Sequence, residues 1–164
     1  MISRFMKYHI KHERDVVGVE LKFDVTVGKA RIIGTVDRLE VDSAGNLFVI
    51  DFKTSKDPIS YEKAKENLQL KSYQIAVTEG GFKAHHASTT SSGAALIYLG
   101  HDVQKISSRE QEPISDIDAA RSQIEGIAQS MGAAQFVAAT NKRCKECPVK
   151  SSCPRKAEGR TLIE

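Results

Sequence analysis

Apolar residues fall at every second position from Val17 to Val25 (Val17, Val19, Leu21, Phe23, Val25), which marks a first strand over 16–27. Gly28-Lys29 turns the chain into a second strand over 30–41. Asp42-Ser43-Ala44-Gly45-Asn46 turns it again into a third over 47–53, so the pattern predicts an antiparallel three-stranded meander. A loop over 54–60 is broken by Pro58. Ser60 is the expected N-cap of one helix over 61–79, closed by Gly80-Gly81, with Ala64, Leu68 and Ile75 as its core stripe. The Ser/Thr/His-rich stretch 82–92 reads as a loop, with His85 and His86 as exposed residues. Ala94 to Leu99 is a continuous apolar run that fits a buried strand, and 101–106 adds an edge strand. A second helix is expected over 116–139, with Ala120, Ile124, Ile127 and Met131 on one stripe. A helix between the meander and the buried strand implies a crossover onto a mixed sheet. The expected class is α/β (α+β), a mixed central sheet flanked by helices.

Composition narrows this little and excludes several classes. Apolar residues at 40% and charged ones at 27% are ordinary for a globular chain, and 164 residues fit one domain with a real core. The 24 basic and 21 acidic residues leave a net charge of only +3, which permits nucleic acid without arguing for it. No apolar run approaches the roughly 18 residues of a membrane span, so no membrane partner is expected. The three cysteines crowd into 144–153 among basic residues, a spacing for metal or cluster ligands rather than a disulfide framework; the expected compartment is the cytoplasm. The chain then divides into a basic arm over 1–15, a core over 16–141 and a cysteine-bearing basic tail over 142–164. His9 and His12, three apart on the arm, could share a helix face as ligands or be plain solvated histidines.

The candidate chemistry lies in the hairpin. Asp37 and Asp51 sit on adjacent strands amid residues that would otherwise be buried, and Lys53 shares a strand face with Asp51 because side chains alternate. Two carboxylates are hard oxygen ligands suited to Mg²⁺ or Mn²⁺. An ion held there would polarise a phosphoryl oxygen and activate a water, with Lys53 orienting the attack or offsetting charge. The bland reading is an ion pair of Asp51 with Lys53 or Arg38. Glu20 lies on the opposite face of its strand with Lys22 and Asp24, as a functional acid or as part of a polar outer face. Gln69 and Tyr73, four apart, share one helix face.

Taken in order, Gly34-x-x-Asp37-Arg38, Asp51-Phe52-Lys53-Thr54, Gln69-x-x-x-Tyr73 and the tail Cys144-x-x-Cys147-x(5)-Cys153-Pro154 resemble the PD-(D/E)XK nucleases of the RecB/AddB type, including their iron–sulfur members. The resemblance runs from Glu20 to Pro154 and implies a restriction-endonuclease-like core. By position it makes Asp37 and Asp51 metal ligands, the Phe52 carbonyl and Glu20 further ligands, Lys53 the catalytic lysine, and Gln69 and Tyr73 the pair that positions the site and the strand. It implies a 4Fe-4S cluster on Cys144, Cys147 and Cys153, one thiolate short of four; zinc, with a histidine such as His101, is the rival. It further implies a DNA exonuclease domain at the C-terminal end of a UvrD/RecB-like helicase–nuclease acting in double-strand break repair. The implied partners are DNA, an upstream helicase domain and a second helicase–nuclease subunit. The resemblance places the metal-binding histidine and first cysteine of such proteins upstream of the positions this chain covers, unless His9 or His12 substitutes for the histidine. The alternatives are a binding module of the same fold that does not cut, and a stand-alone CRISPR-associated nuclease. Lys56, Lys63, Lys71 and the tail are the expected phosphate contacts.

Overall fold

The computed structural model of the chain describes residues 1–11, 13–100, 106–133 and 138–155. The chain divides into two compact units, Met1–Ala128 and Gln129–Glu164. The first holds a five-stranded sheet in the order β1-β2-β3-β4-β5, formed by β1 (Asp15–Val27), β2 (Ala30–Val41), β3 (Leu47–Lys53), β4 (Ser91–Tyr98) and β5 (Ser107–Gln111). The meander is antiparallel, β3 and β4 run parallel, and β5 returns antiparallel, so the mixed sheet is as expected. Gly45 makes the β2–β3 turn with φ +83°, and Asp42 Oδ1 accepts from the amides of Ala44 and Asn46 at 2.9 Å each.

Alternation along β3 and β4 splits the core between two faces. Leu47, Val49, Ala94, Leu96 and Tyr98 pack with Leu70, Tyr73, Ala76 and Val77 of α3 (Leu68–Thr78). Phe48, Ile50, Ala95, Ile97 and Leu99 pack with Phe5 and Tyr8 of α1 (Ile2–Lys11). The basic arm thus carries a helix that covers a sheet face. Phe5 and Tyr8 set their rings edge-on to Phe52 at 5.3 and 5.8 Å, and Arg4 Nη1 donates to the Leu99 carbonyl at 2.8 Å. A third cluster joins Val27, Ile75 and Ala120, with Ile124 partly buried against it.

Three expectations change. The helix expected over 61–79 is two: α2 (Tyr61–Lys65) and α3, separated at Glu66–Asn67. Asn67 breaks it, its side chain accepting from the Leu70 amide at 3.0 Å as the N-cap of α3, while Ser60 caps α2 as expected. The edge strand falls at 107–111; residues 101–105, where it was expected, lie outside the described residues. In α4 (Ile117–Gly132) only the start of the predicted stripe is core, for Ala120 is buried whereas Ile127 and Met131 are exposed. No described helix is long and apolar enough to cross a membrane.

Candidate active site

The β2–β3 ladder ends at Arg38–Ile50, one step short of the two acids. Beyond it the strands part, and the Asp37 carboxylate takes the place of a ladder carbonyl: its Oδ2 accepts from the Phe52 amide at 2.6 Å. Asp51 is buried at 5% exposure, so its charge needs partners. They come from its own strand and from α3, whose first turn the break at Asn67 delivers to the sheet. Gln69 Nε2 and Tyr73 Oη donate to Asp51 Oδ1 at 2.8 and 3.0 Å, and Gln69 Nε2 also donates to Tyr73 Oη at 2.8 Å. Lys53 Nζ donates to Gln69 Oε1 at 3.0 Å and stands 2.7 Å from Asp51 Oδ2. One carboxamide therefore ties the acid, the base and the phenol together. Burial, with the nearby Asp51 charge, pushes the Tyr73 hydroxyl up to about 12, so it stays a proton donor at neutral pH.

The remaining sequence candidates are placed differently. Glu20 is exposed, and the register from Val19–Arg38 to Leu21–Val36 sets it across from Asp37 without a ladder pair between them. Its φ of +50° makes it the one non-glycine residue with positive φ among those described, a conformation that costs about 1–3 kcal/mol. There the alternation of β2 breaks: Val36 packs in the α3-side core, while Arg38, two residues on, meets α1. His9 meets Arg38. Its Nδ1 lies 2.9 Å from Arg38 Nη1 and, since an arginine only donates, accepts there. His12 and His101 lie outside the described residues. Lys71 pairs with the exposed Glu66 at 2.7 Å.

Sequence reasoning missed two buried polar groups. Arg38 and Glu40, at 2% and 0% exposure, pair at 2.7 Å under α1, and burial with the Glu40 charge drives the Tyr8 hydroxyl far above its usual range. Gln111 Nε2 donates to the carbonyls of Ala64, Lys65 and Asn67, and its Oε1 accepts from Gln74. For Arg38 and Glu40 the available signal was charged residues inside an otherwise apolar strand, whereas β5 is polar throughout and gave none for Gln111.

Asp37 and Asp51 offer oxygen donors alone, and Asp51 Oδ2 is buried with no hydrogen bond of good geometry. Such a set fits a hard divalent cation held by one or two carboxylates, with water and substrate phosphate completing the shell. Among the described residues no three His, Cys, Asp or Glu side chains gather as a ligand group. In the second unit, Cys144, Cys147 and Cys153 are free thiols that line one cavity of about 600 Å³, beside short 3₁₀ turns at Lys142–Glu146 and Lys150–Ser152.

The profile of the PD-(D/E)XK nuclease superfamily matches residues 1–154. The chain belongs to that superfamily. Its members are typically metal-dependent nucleases, and the mixed sheet with flanking helices is their restriction-endonuclease-like fold. Among solved structures, the crystal structure of SSO0001 is similar with a TM-score of 0.56 and 20% sequence identity, over 93% of this chain and 67% of that one. At that identity the likeness concerns the fold of the superfamily alone. No curated protein matches the chain.

Proposed function

We propose that this superfamily domain is a Mg²⁺- or Mn²⁺-dependent deoxyribonuclease that trims DNA ends by phosphodiester hydrolysis. The observation that carries the reading is the closed set of bonds joining Asp51, Lys53, Gln69 and Tyr73 beside Asp37. Asp37 and Asp51 would hold the ion, with the Phe52 carbonyl and Glu20 as further oxygen donors. When bound, the ion supplies Lewis-acid polarisation of a phosphoryl oxygen and a more acidic water. Gln69 and Tyr73 keep Asp51 Oδ1 occupied, so the carboxylate is held in one orientation with Oδ2 facing the Lys53 ammonium at 2.7 Å, a contact that a bound ion would replace. Lys53, whose side chain is 32% exposed, reaches solvent and would orient the attacking water or offset charge on the transition state. Lys56 and Lys63 would contact phosphates, a sequence-independent and salt-sensitive contribution.

The finer context is part of the same proposal. The order of acid, acid-x-lysine, glutamine–tyrosine and cysteine motifs supports a nuclease domain following an ATP-driven DNA helicase, working with a second such subunit at double-strand breaks in the cytoplasm. Cys144, Cys147 and Cys153 would contribute three thiolates to a 4Fe-4S cluster completed by a fourth from elsewhere.

A binding-only module is the second reading, favoured by one observation: among the described residues no third acid or histidine joins Asp37 and Asp51. Degradation of linear DNA with Mn²⁺, comparing wild type with Asp51→Asn, decides between them. We expect nucleotide release that falls on the order of 100-fold or more in the variant. Equal release by both proteins would remove Asp51 from the chemistry. Tight DNA binding with no release by wild type would leave the binding module.

A further inference from the structure

Tyr61, the first residue of α2, is 63% exposed, an unusual setting for a ring in a folded chain. It is nevertheless held in place. The Arg109 guanidinium lies 4.1 Å from its ring centroid, a cation–π contact covering one face. Arg109 is itself fixed: Nε donates to the Ile59 carbonyl at 2.6 Å, and Nη1 donates to Ser107 Oγ at 3.1 Å and the Ser108 carbonyl at 2.8 Å. The loop before Tyr61 is pinned again where the Ile59 amide donates to Tyr98 Oη at 3.3 Å.

The sheet register relates this ring to the acids. Asp51 pairs with Leu96, and Leu96 pairs with Arg109, so the three lie in one row across β3, β4 and β5. Residues opposite one another in a ladder project from the same face. At about 4.8 Å between strands, Arg109 stands roughly 10 Å across the sheet from Asp51, on the face that carries Lys53 and Tyr73. Leu96 between them is buried against α3, so a strand spanning the two would pass over the surface, a reach of a few nucleotides at about 3.4 Å of rise each.

We infer that Tyr61 is a stacking platform for a base of the DNA strand entering the Asp51 site, with Arg109 as the residue that positions the ring. The inference rests on the nuclease reading and deepens it by naming how the strand is held. A rigid ring with one face braced by a cation and the other open suits a nucleobase, because every base presents a π-face whatever the sequence. Such stacking secures an unpaired strand without reading it, so the implied substrate form is single-stranded DNA at the point of cleavage.

The test is binding of a single-stranded oligonucleotide carrying 2-aminopurine at successive positions, in EDTA so that no cleavage can occur. Wild type should change the fluorescence of one or two adjacent positions. Tyr61→Ala should abolish that change and weaken binding roughly 5- to 150-fold, the range for loss of one stacked base. Tyr61→Phe should keep both the signal and the affinity, whereas Tyr61→Leu, which holds the helix but has no π-face, should behave as Tyr61→Ala. Wild-type affinity and fluorescence in both Tyr61→Ala and Tyr61→Leu would overturn the platform while leaving the nuclease reading intact. Failure of wild type to bind the oligonucleotide at all would likewise overturn the platform, and the Mn²⁺ degradation assay would still decide the nuclease reading by itself.

Discussion

Gln69 gives its carboxamide oxygen to Lys53 and its nitrogen to Asp51 and Tyr73, so two charges of opposite sign share one neutral bridge. Tyr73 is the member whose removal can be read cleanly, since phenylalanine keeps its ring contact with Phe23. Tyr73→Phe deletes one donor to a buried carboxylate and is expected to cost about 1.5–3 kcal/mol of stability, seen as a lower urea midpoint with unchanged m-value. The pH dependence has a definite sign. Its hydroxyl titrates near 10 unfolded and at about 12 folded, so the stabilisation is complete below pH 10 and is lost as pH rises toward 12. Wild type should therefore lose on the order of 2 kcal/mol more than Tyr73→Phe between pH 9.5 and 12, measured by urea unfolding at each pH. This grouping was legible in the sequence as far as residue type and spacing went. Asp51-x-Lys53 implied one strand face and Gln69-x-x-x-Tyr73 one helix face, and both hold. The bland ion pair of Asp51 and Lys53 is also present, as part of the same cluster. Arg38 and Glu40 were not legible, because the alternation that assigns faces breaks at Asp37.

Element-level reading placed β2 and β3 at their observed bounds because β-branched and aromatic alternation is a local signal bounded by turns. It failed to split the helix over 61–79, since neither Glu66 nor Asn67 is a strong breaker on its own. The split depends on a partner distant in sequence. Gln111 of β5 donates to the carbonyls of Ala64 and Lys65 at the end of α2 and to that of Asn67, adding to the backbone bond that the Asn67 amide gives the Ala64 carbonyl at 3.1 Å. Gln111→Ala is expected to cost roughly 1–3 kcal/mol, read from the urea midpoint. If the break also aims Gln69, kcat should fall while KM for DNA holds, and Gln111→Asn should not rescue it because the shorter side chain misses those carbonyls.

For the whole molecule, the sheet needs a cover on both faces. Phe52 and Ile50 lie between α1 and the strands, and the Arg38–Glu40 pair lies beneath the same helix. A chain lacking residues 1–11 would expose this apolar face and wet a buried charge pair. We expect it to bind 8-anilinonaphthalene sulfonate and lose cooperative unfolding, checked by calorimetry, while the far-UV signal of the sheet persists. A net charge of +3 supplies little long-range attraction, so DNA binding should depend on the local surface around Lys53, Lys56 and Tyr61. The sequence by itself determined the order of the strands and the residue types of the candidate site, because hydrophobic period, turn residues and motif spacing are properties of neighbours along the chain. Only the tertiary structure decided that α1 roofs the second face, that Gln111 binds the carbonyls at a helix break some 45 residues earlier, and that Arg109 braces Tyr61 in the same row as Asp51. Each of these is a pairing between segments far apart in sequence, fixed by sheet register and burial.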